Sequence, residues 1–225
     1  MRVQFIIPLA AWLALHVAGT VRAESFADLY GGWSQSRNMD LSASQRTCFL
    51  VNCTTSAQRI QSLIAQHGLT AGGRGGYWFD RLSWFGVAGD MSYYRTCSAS
   101  VQLDSVSLSP TPMLRLPLWT TPERPHGHVQ PYLGAGPTLV FHRVSADFRP
   151  GSPITLSGWS PAVGWTVRAG LAVLISAHVA LFSEWRFSQD RVAFRQHGIF
   201  GMGDSSRLDM TQTARHYLFG LSYRF

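Results

Sequence analysis

The chain has 225 residues, 46% of them hydrophobic, 12% aromatic and only 14% charged. Its 19 basic side chains are all arginine, set against 12 acidic ones for a net charge of +7. Beyond the N-terminus no stretch of 18 or more apolar residues occurs, which excludes a spanning helix, and no arginine cluster or binding motif points to nucleic acid.

The N-terminus opens on Arg2 and a mostly apolar run from Val3 to Val17, followed by Val21-Arg22-Ala23. A positive start, an apolar centre and small residues at −3 and −1 describe a secretory signal peptide over 1–23. Pro8, His16 and an apolar run short of the ~20 residues of a span argue against a membrane anchor. The expectation is an exported chain with one domain over 24–225. Losing Arg2 and Arg22 leaves 17 arginines, and 17 minus 12 acidic residues gives +5.

Eight segments then carry period-two alternation or a Gly/aromatic strand character, near 26–36, 68–80, 84–96, 106–118, 129–143, 161–176, 179–190 and 213–225. The predicted class is all-β. Dispersing apolar residues at every second position reconciles a greasy composition with average hydropathy near zero, as in a barrel. Connections alternate between short (80–83, 119–128, 177–178) and mostly long (37–67, 97–105, 144–160, 191–212), the pattern of turns at one end and loops at the other. In the first long connection, Ser56 to His67 reads as a short helix with Ser56 as N-cap and Gly68 as its stop.

Alternation also assigns faces. Leu69, Met91, Leu108, Leu114, Trp165, Leu171, Leu181 and Trp185 point outward, while Thr70, Trp78, Ser92, Ser107, Thr166 and Phe182 point inward. The inward set includes Arg74, Asp90, Arg115, Arg168, Glu184 and Arg186, with His216 as a further member. Eight strands enclose a space that side chains fill, and opposite charges there are expected to pair, because either alone is costly to bury. Pro110, Pro112 and Pro117 lack a donor and make the fourth segment the one expected to bulge.

The final segment alternates cleanly: Tyr217, Phe219, Leu221, Tyr223 and Phe225 share one face. A strand ending on a C-terminal Phe resembles the end of outer-membrane β-barrel proteins of Gram-negative bacteria. Gln130-Pro131-Tyr132-Leu133-Gly134-Ala135-Gly136-Pro137 resembles the "PYxGxG" opening of the fifth strand in small OmpA-like and opacity-protein-like barrels. Gly164-Trp165-Thr166-Val167-Arg168-Ala169-Gly170-Leu171, followed by Leu181-Phe182-Ser183-Glu184-Trp185-Arg186-Phe187-Ser188, resembles the hairpin that comes next. The resemblance implies an eight-stranded antiparallel up-and-down transmembrane β-barrel of the opacity-protein/OmpA-like superfamily. It further implies residence in the outer membrane and handling by the barrel-assembly machinery through the C-terminal strand. The chain departs from that pattern in a longer first loop with cysteines. No cell-wall-binding domain follows Phe225, so tethering to the wall is not expected.

Little in the sequence carries chemistry. Cys48, Cys53 and Cys97 all fall on the long-loop side; export permits a disulfide, and any of the pairings leaves one thiol over. His126-Gly127-His128 supplies two imidazoles without further ligands, a poor metal site. His216, Ser222, Glu184 and Ser188 are residue types of lipid A-modifying acyl enzymes, but a triad is defined by geometry, not by composition. No catalytic, cofactor or metal residues are assigned. The expected role is envelope structure or surface interaction through the loops, with a plugged polar interior; a narrow passive pore is the alternative, and a lipid A-modifying enzyme ranks below it. The expected partners are outer-membrane lipid and lipopolysaccharide, whose phosphates suit arginine's bidentate fork, and an unidentified surface partner.

Overall fold

Strands whose residues alternate in polarity can satisfy every backbone group inside a bilayer only by closing on themselves. The computed structural model, which describes residues 23–49, 52–60, 66–97, 101–122, 126–146, 159–197 and 205–225, has this closure. Its strands are β1 (Ala23–Phe49), β2 (Asn52–Ile60), β3 (Gln66–Phe79), β4 (Phe85–Cys97), β5 (Val101–Arg115), β6 (Val129–Ala146), β7 (Trp159–Leu174), β8 (Val179–His197) and β9 (Ser205–Arg224). β1 and β3 to β9 pair in chain order, all antiparallel, and β1 closes on β9 in register from Phe26↔Arg224 to Arg37↔Thr213. This is a closed eight-stranded up-and-down barrel.

Short turns at 80–84 and 175–178 and the tighter chain 116–128 cluster at one end, with the long connections at the other. In the 116–128 turn Gly127 takes φ +82°, where a Cβ would strike Leu118 O. The outward face is apolar: Leu29, Leu69 and Val163 are each 70% exposed or more. Trp33 stacks on Tyr217 at 5.7 Å and Trp165 packs on Phe187 at 5.3 Å on this face.

Two features depart from the sequence expectations. Where a helix is expected over Ser56 to His67, the described residues are strand: Asn52–Ile60 is β2, and Gln66 opens β3; residues 61–65 lie outside the described residues. Pairing with β1 from Leu41↔Ile60 to Phe49↔Asn52 supplies backbone partners that override a modest helix preference. Long connections 37–67 and 191–212 are also largely strand. β1 and β9 continue pairing past a register shift at Arg37/Asp40 to Arg46↔Ser205, and β8 pairs β9 to His197↔Ser205. Beyond the barrel, β2, β1, β9 and β8 thus form a four-stranded extension. The signal peptide expectation falls on residues 1–22, which lie outside the described residues, together with Ala23 at the start of β1.

The proline-rich fourth segment forms β5 without a bulge. Its register with β6 is the same from Leu103↔Val144 to Arg115↔Tyr132, but pairs are missing between Leu108↔Leu139 and Met113↔Gly134. Arg115 N donates to Trp84 O at 2.8 Å while Leu116 N donates to Pro131 O at 2.9 Å. Odd residues of β5 therefore bond to β4 and even ones to β6. Pro110 and Pro112 aim their missing donors at the β6 seam, and Pro131 and Pro137 face the same seam from β6. At the constant register Pro110 lies opposite Pro137, so neither can donate; Ser109 Oγ donates instead to Pro137 O at 3.0 Å. The prolines spare the β4 ladder and concentrate their cost in one seam.

Candidate functional site in the barrel lumen

Inward-facing side chains crowd the described part of the barrel lumen. Toward the short-turn end the filling is aromatic and relies on glycine opposite each ring. Phe26↔Gly76, Tyr30↔Gly72, Trp78↔Gly86, Tyr132↔Gly170 and Phe182↔Gly220 are direct cross-strand pairs. A Cβ on Gly170 would come within 2.3 Å of Tyr132 Cζ, so each ring lies over the neighbouring backbone where any side chain would collide. Ring faces then carry guanidinium groups: Arg74 lies 5.2 Å from the centroids of both Tyr132 and Phe182, and Arg186 5.1 Å from that of Tyr30.

The charged centre is one network. Glu184 accepts from Arg74 Nη1 at 2.6 Å, Tyr132 Oη at 2.8 Å and Arg186 Nη2 at 2.8 Å. Arg74 Nε also donates to Asp28 at 2.7 Å. Asp90 accepts from Arg186 Nη1 at 3.0 Å and Nη2 at 2.9 Å, from Arg168 Nη1 at 3.0 Å and from Tyr30 Oη at 3.0 Å. Three arginines thus meet three carboxylates, all of them buried. Arg74, Asp90, Arg168, Glu184 and Arg186 come together here.

Arg115 does not join them. It sits at the short-turn end over the Trp78 ring at 4.5 Å, donates from Nε to Ser83 O at 2.7 Å, and makes a 2.6 Å ion contact with Glu24 off the hydrogen-bonding direction. Arg224 shares Glu24 at 3.1 Å and donates to Gln130 Oε1 at 3.3 Å. Asp28, Tyr30, Tyr132, Glu24 and Arg224 are lumen members that the sequence reading left out. Their signal was available in the inward parity of Phe26, Asp28 and Tyr30 in β1 and of Tyr132 beside Gly134.

Above the network lies a cavity of about 10 Å³, the room of roughly one water. Arg168 lines it together with Ser107, Ser109, Thr138 and His216, and its Nε and Nη2 have no partner among the described residues.

Of the acyl-enzyme candidates, only His216 and Ser188 meet. His216 is bracketed by Thr70 Oγ1 at 3.2 Å and Ser188 Oγ at 3.3 Å, with Tyr94 edge-on at 5.1 Å, so no carboxylate orients its ring. Ser222 is buried at a register position opposite Asp28, and Glu184 belongs to the central network. His128 N donates to Leu118 O and His126 O accepts from Gln130, so both serve the turn through their backbone.

No protein-family model matches the chain, and no curated protein is similar to it in sequence. Solved structures are similar in fold. Neisserial surface protein A matches with a TM-score of 0.51 at 17% identity, over 87% of this chain and 97% of that one. OprG from Pseudomonas aeruginosa follows at 0.48 and 13% identity over 90% and 96%, and Ail of Yersinia pestis at 0.40 and 14% over 90% and 99%. The chain has the fold of the small outer-membrane β-barrels.

Within such a barrel one further constellation stands at the long-connection end. Ser105 Oγ lies 2.8 Å from His142 Nδ1, and His142 Nε2 lies 2.7 Å from Asp190 Oδ2. The residue types are those of a hydrolase triad, assembled from β5, β6 and β8. A working triad also needs a place for the reacting carbon beside the nucleophile and donors for an oxyanion. Ser105 and His142 are wholly buried, and neither lines the cavity beside Arg168. Among the described residues the three side chains form a buried hydrogen-bonded link between β5, β6 and β8. Sequence spacing gave no hint of it, since each member looks like an isolated inward polar residue.

Proposed function

We propose that this is an integral outer-membrane barrel without enzymatic activity, plugged through its middle, whose long-connection end carries surface interaction or envelope structure. The observation that carries this reading is the central network: six charged groups cross-link β1, β3, β4, β7 and β8 in the middle of the lumen with every carboxylate occupied. The apolar exterior supports insertion in a bilayer, and the four-stranded extension supports an exposed interaction surface, because loops and strand tips on a rigid scaffold carry variable chemistry.

The narrow passive pore remains the second reading, favoured by the cavity beside Arg168. Glu184→Ala separates the two. In a plugged barrel the variant leaves Arg74 and Arg186 short of a partner and should lower the urea midpoint of unfolding with the bilayer still silent. In a pore it should alter ion selectivity at nearly unchanged stability. An acyl-enzyme role is tested with a fluorophosphonate probe on the folded protein. Absence of label at Ser105 fits the plug; covalent label there that is lost in His142→Ala would reverse the reading.

A further inference from the structure

On β4, β6, β8 and β9 the outward face runs apolar for most of its described length and turns basic at the long-connection end. On β4 the outward sequence Phe85, Val87, Met91, Tyr93 ends in Arg95; on β6 Leu133, Leu139, Phe141 ends in Arg143. On β8 Leu181, Trp185, Phe187 leads to Arg191, and on β9 Phe219, Tyr217 leads to Arg215. From Phe85 to Arg95 is ten residues, which at ~3.3 Å each along a tilted strand matches the ~25 Å apolar band of such barrels. Among the described residues no outward-facing strand arginine occurs at the short-turn end; Arg74, Arg115, Arg168, Arg186 and Arg224 all face the lumen. Arginines that merely snorkel have no reason to choose one end.

Four strands align part of this collar into a row. Arg95 on β4 pairs in register with Asp104 on β5, Asp104 with Arg143 on β6, and Arg143 with Trp159 on β7. Strands are spaced ~4.8 Å apart, so the two arginines stand two spacings, roughly 10 Å, from each other. Arg95 has half of its side chain in the open, and its Nε donates to Asp104 Oδ1 at 2.7 Å and to Tyr93 Oη at 3.1 Å. Tyr93 Oη donates to the same carboxylate at 2.6 Å. Asp104 and Tyr93 thereby hold the Arg95 guanidinium through Nε, while half of the side chain stays open to an outside acceptor. Arg143 and Trp159 are exposed on the other side, Trp159 by 54%.

We propose that the Arg95–Asp104–Arg143–Trp159 row is a binding site for the phosphate of a phosphorylated lipid headgroup in the outer leaflet. The inference rests on the outer-membrane reading above. Guanidinium forks grip phosphate in a bidentate way. Trp159 and Tyr93 lie at the height where amphipathic rings favour the boundary between headgroups and chains. Asp104 opposes the anion directly, and its role is to orient Arg95; removing its charge should therefore strengthen phosphate binding.

The test uses the full chain refolded into phosphatidylcholine vesicles containing either bisphosphorylated lipid A or the same lipid stripped of phosphate. Lipid retained after extraction is counted by native mass spectrometry. Wild type should retain the phosphorylated lipid and not the stripped one. The double variant Arg95→Gln with Arg143→Gln should retain about tenfold less, Asp104→Asn should retain more, and Arg81→Gln at the short-turn end should match wild type. Equal retention of both lipids, or a double variant indistinguishable from wild type in correctly inserted protein, would overturn the site while leaving the outer-membrane reading intact. Displacement of the lipid by excess inorganic phosphate would overturn the commitment to a lipid source. Failure of wild type to insert, seen as loss of heat-modifiable gel mobility, would contradict the membrane reading itself.

Discussion

Asp90 takes hydrogen bonds from Tyr30, Arg168 and Arg186 on three different strands, which makes it the residue on which the lumen most depends. Replacing it with Asn keeps the size but leaves Arg168 facing no carboxylate and Arg186 with Glu184 alone. Breaking a buried ion pair from one side costs about 3–5 kcal/mol, and Asp90→Asn should lower the urea midpoint of vesicle-embedded protein by the equivalent amount. Glycine matters by the same logic of close approach. Gly170→Ala places a methyl against the Tyr132 ring and should cost about 1–3 kcal/mol from overpacking, a loss that Tyr132→Leu in the same chain should partly restore. Parity in the sequence was enough to send Arg74, Asp90, Arg168, Glu184 and Arg186 inward. It was not enough to separate Arg115 from them, because height in a barrel depends on inter-strand register, which alternation within one strand does not contain. For the same reason the Ser105–His142–Asp190 chain was invisible: its members come from β5, β6 and β8 and meet only once those strands are aligned.

At the level of strands, alternation worked wherever one face meets lipid. All eight barrel strands were legible with ends within a few residues in most cases, since apolar residues must recur at every second place. It failed where the strands leave the barrel. Beyond Ser36 on β1 and Arg191 on β8 no apolar period survives in the sequence, and the chain is extended through backbone pairing. The prolines show how strongly pairing direction constrains a strand. Pro110→Val should refold normally, since it restores a donor to the β6 seam. Thr111→Pro should prevent heat-modifiable refolding, because the N–H lost there belongs to the β4 ladder, as that of Arg115 does. The hairpin of β1 and β2 sets Cys48 directly opposite Cys53, while Cys97 lies opposite His67 and Gln102. Opposed antiparallel residues have Cα atoms ~4.5–5.5 Å apart, within the range of a disulfide. Peptide mapping without reductant should therefore find Cys48 joined to Cys53 and Cys97 alkylated; a bridge involving Cys97 would show that the hairpin register differs.

At the scale of the molecule, the inward charges of the described residues cancel. Arg74, Arg115, Arg168, Arg186 and Arg224 stand against Glu24, Asp28, Asp90, Glu184 and Asp190, five of each sign among the described residues, with Asp190 held by His142 and the other four by arginines. A lumen built to select ions keeps a surplus of one sign along a wet path; a lumen built to hold strands together pairs its charges and leaves little space, as the cavity of about 10 Å³ does here. Neutrality inside and a basic collar outside divide the labour of the arginines between holding the barrel together and meeting its surroundings. The most direct measurement is the conductance of planar bilayers holding protein already shown to be folded by heat-modifiable mobility. The plugged barrel predicts silence across the whole voltage range at high salt. Steady, salt-dependent current steps from the same preparation would contradict it and make the lumen a pore.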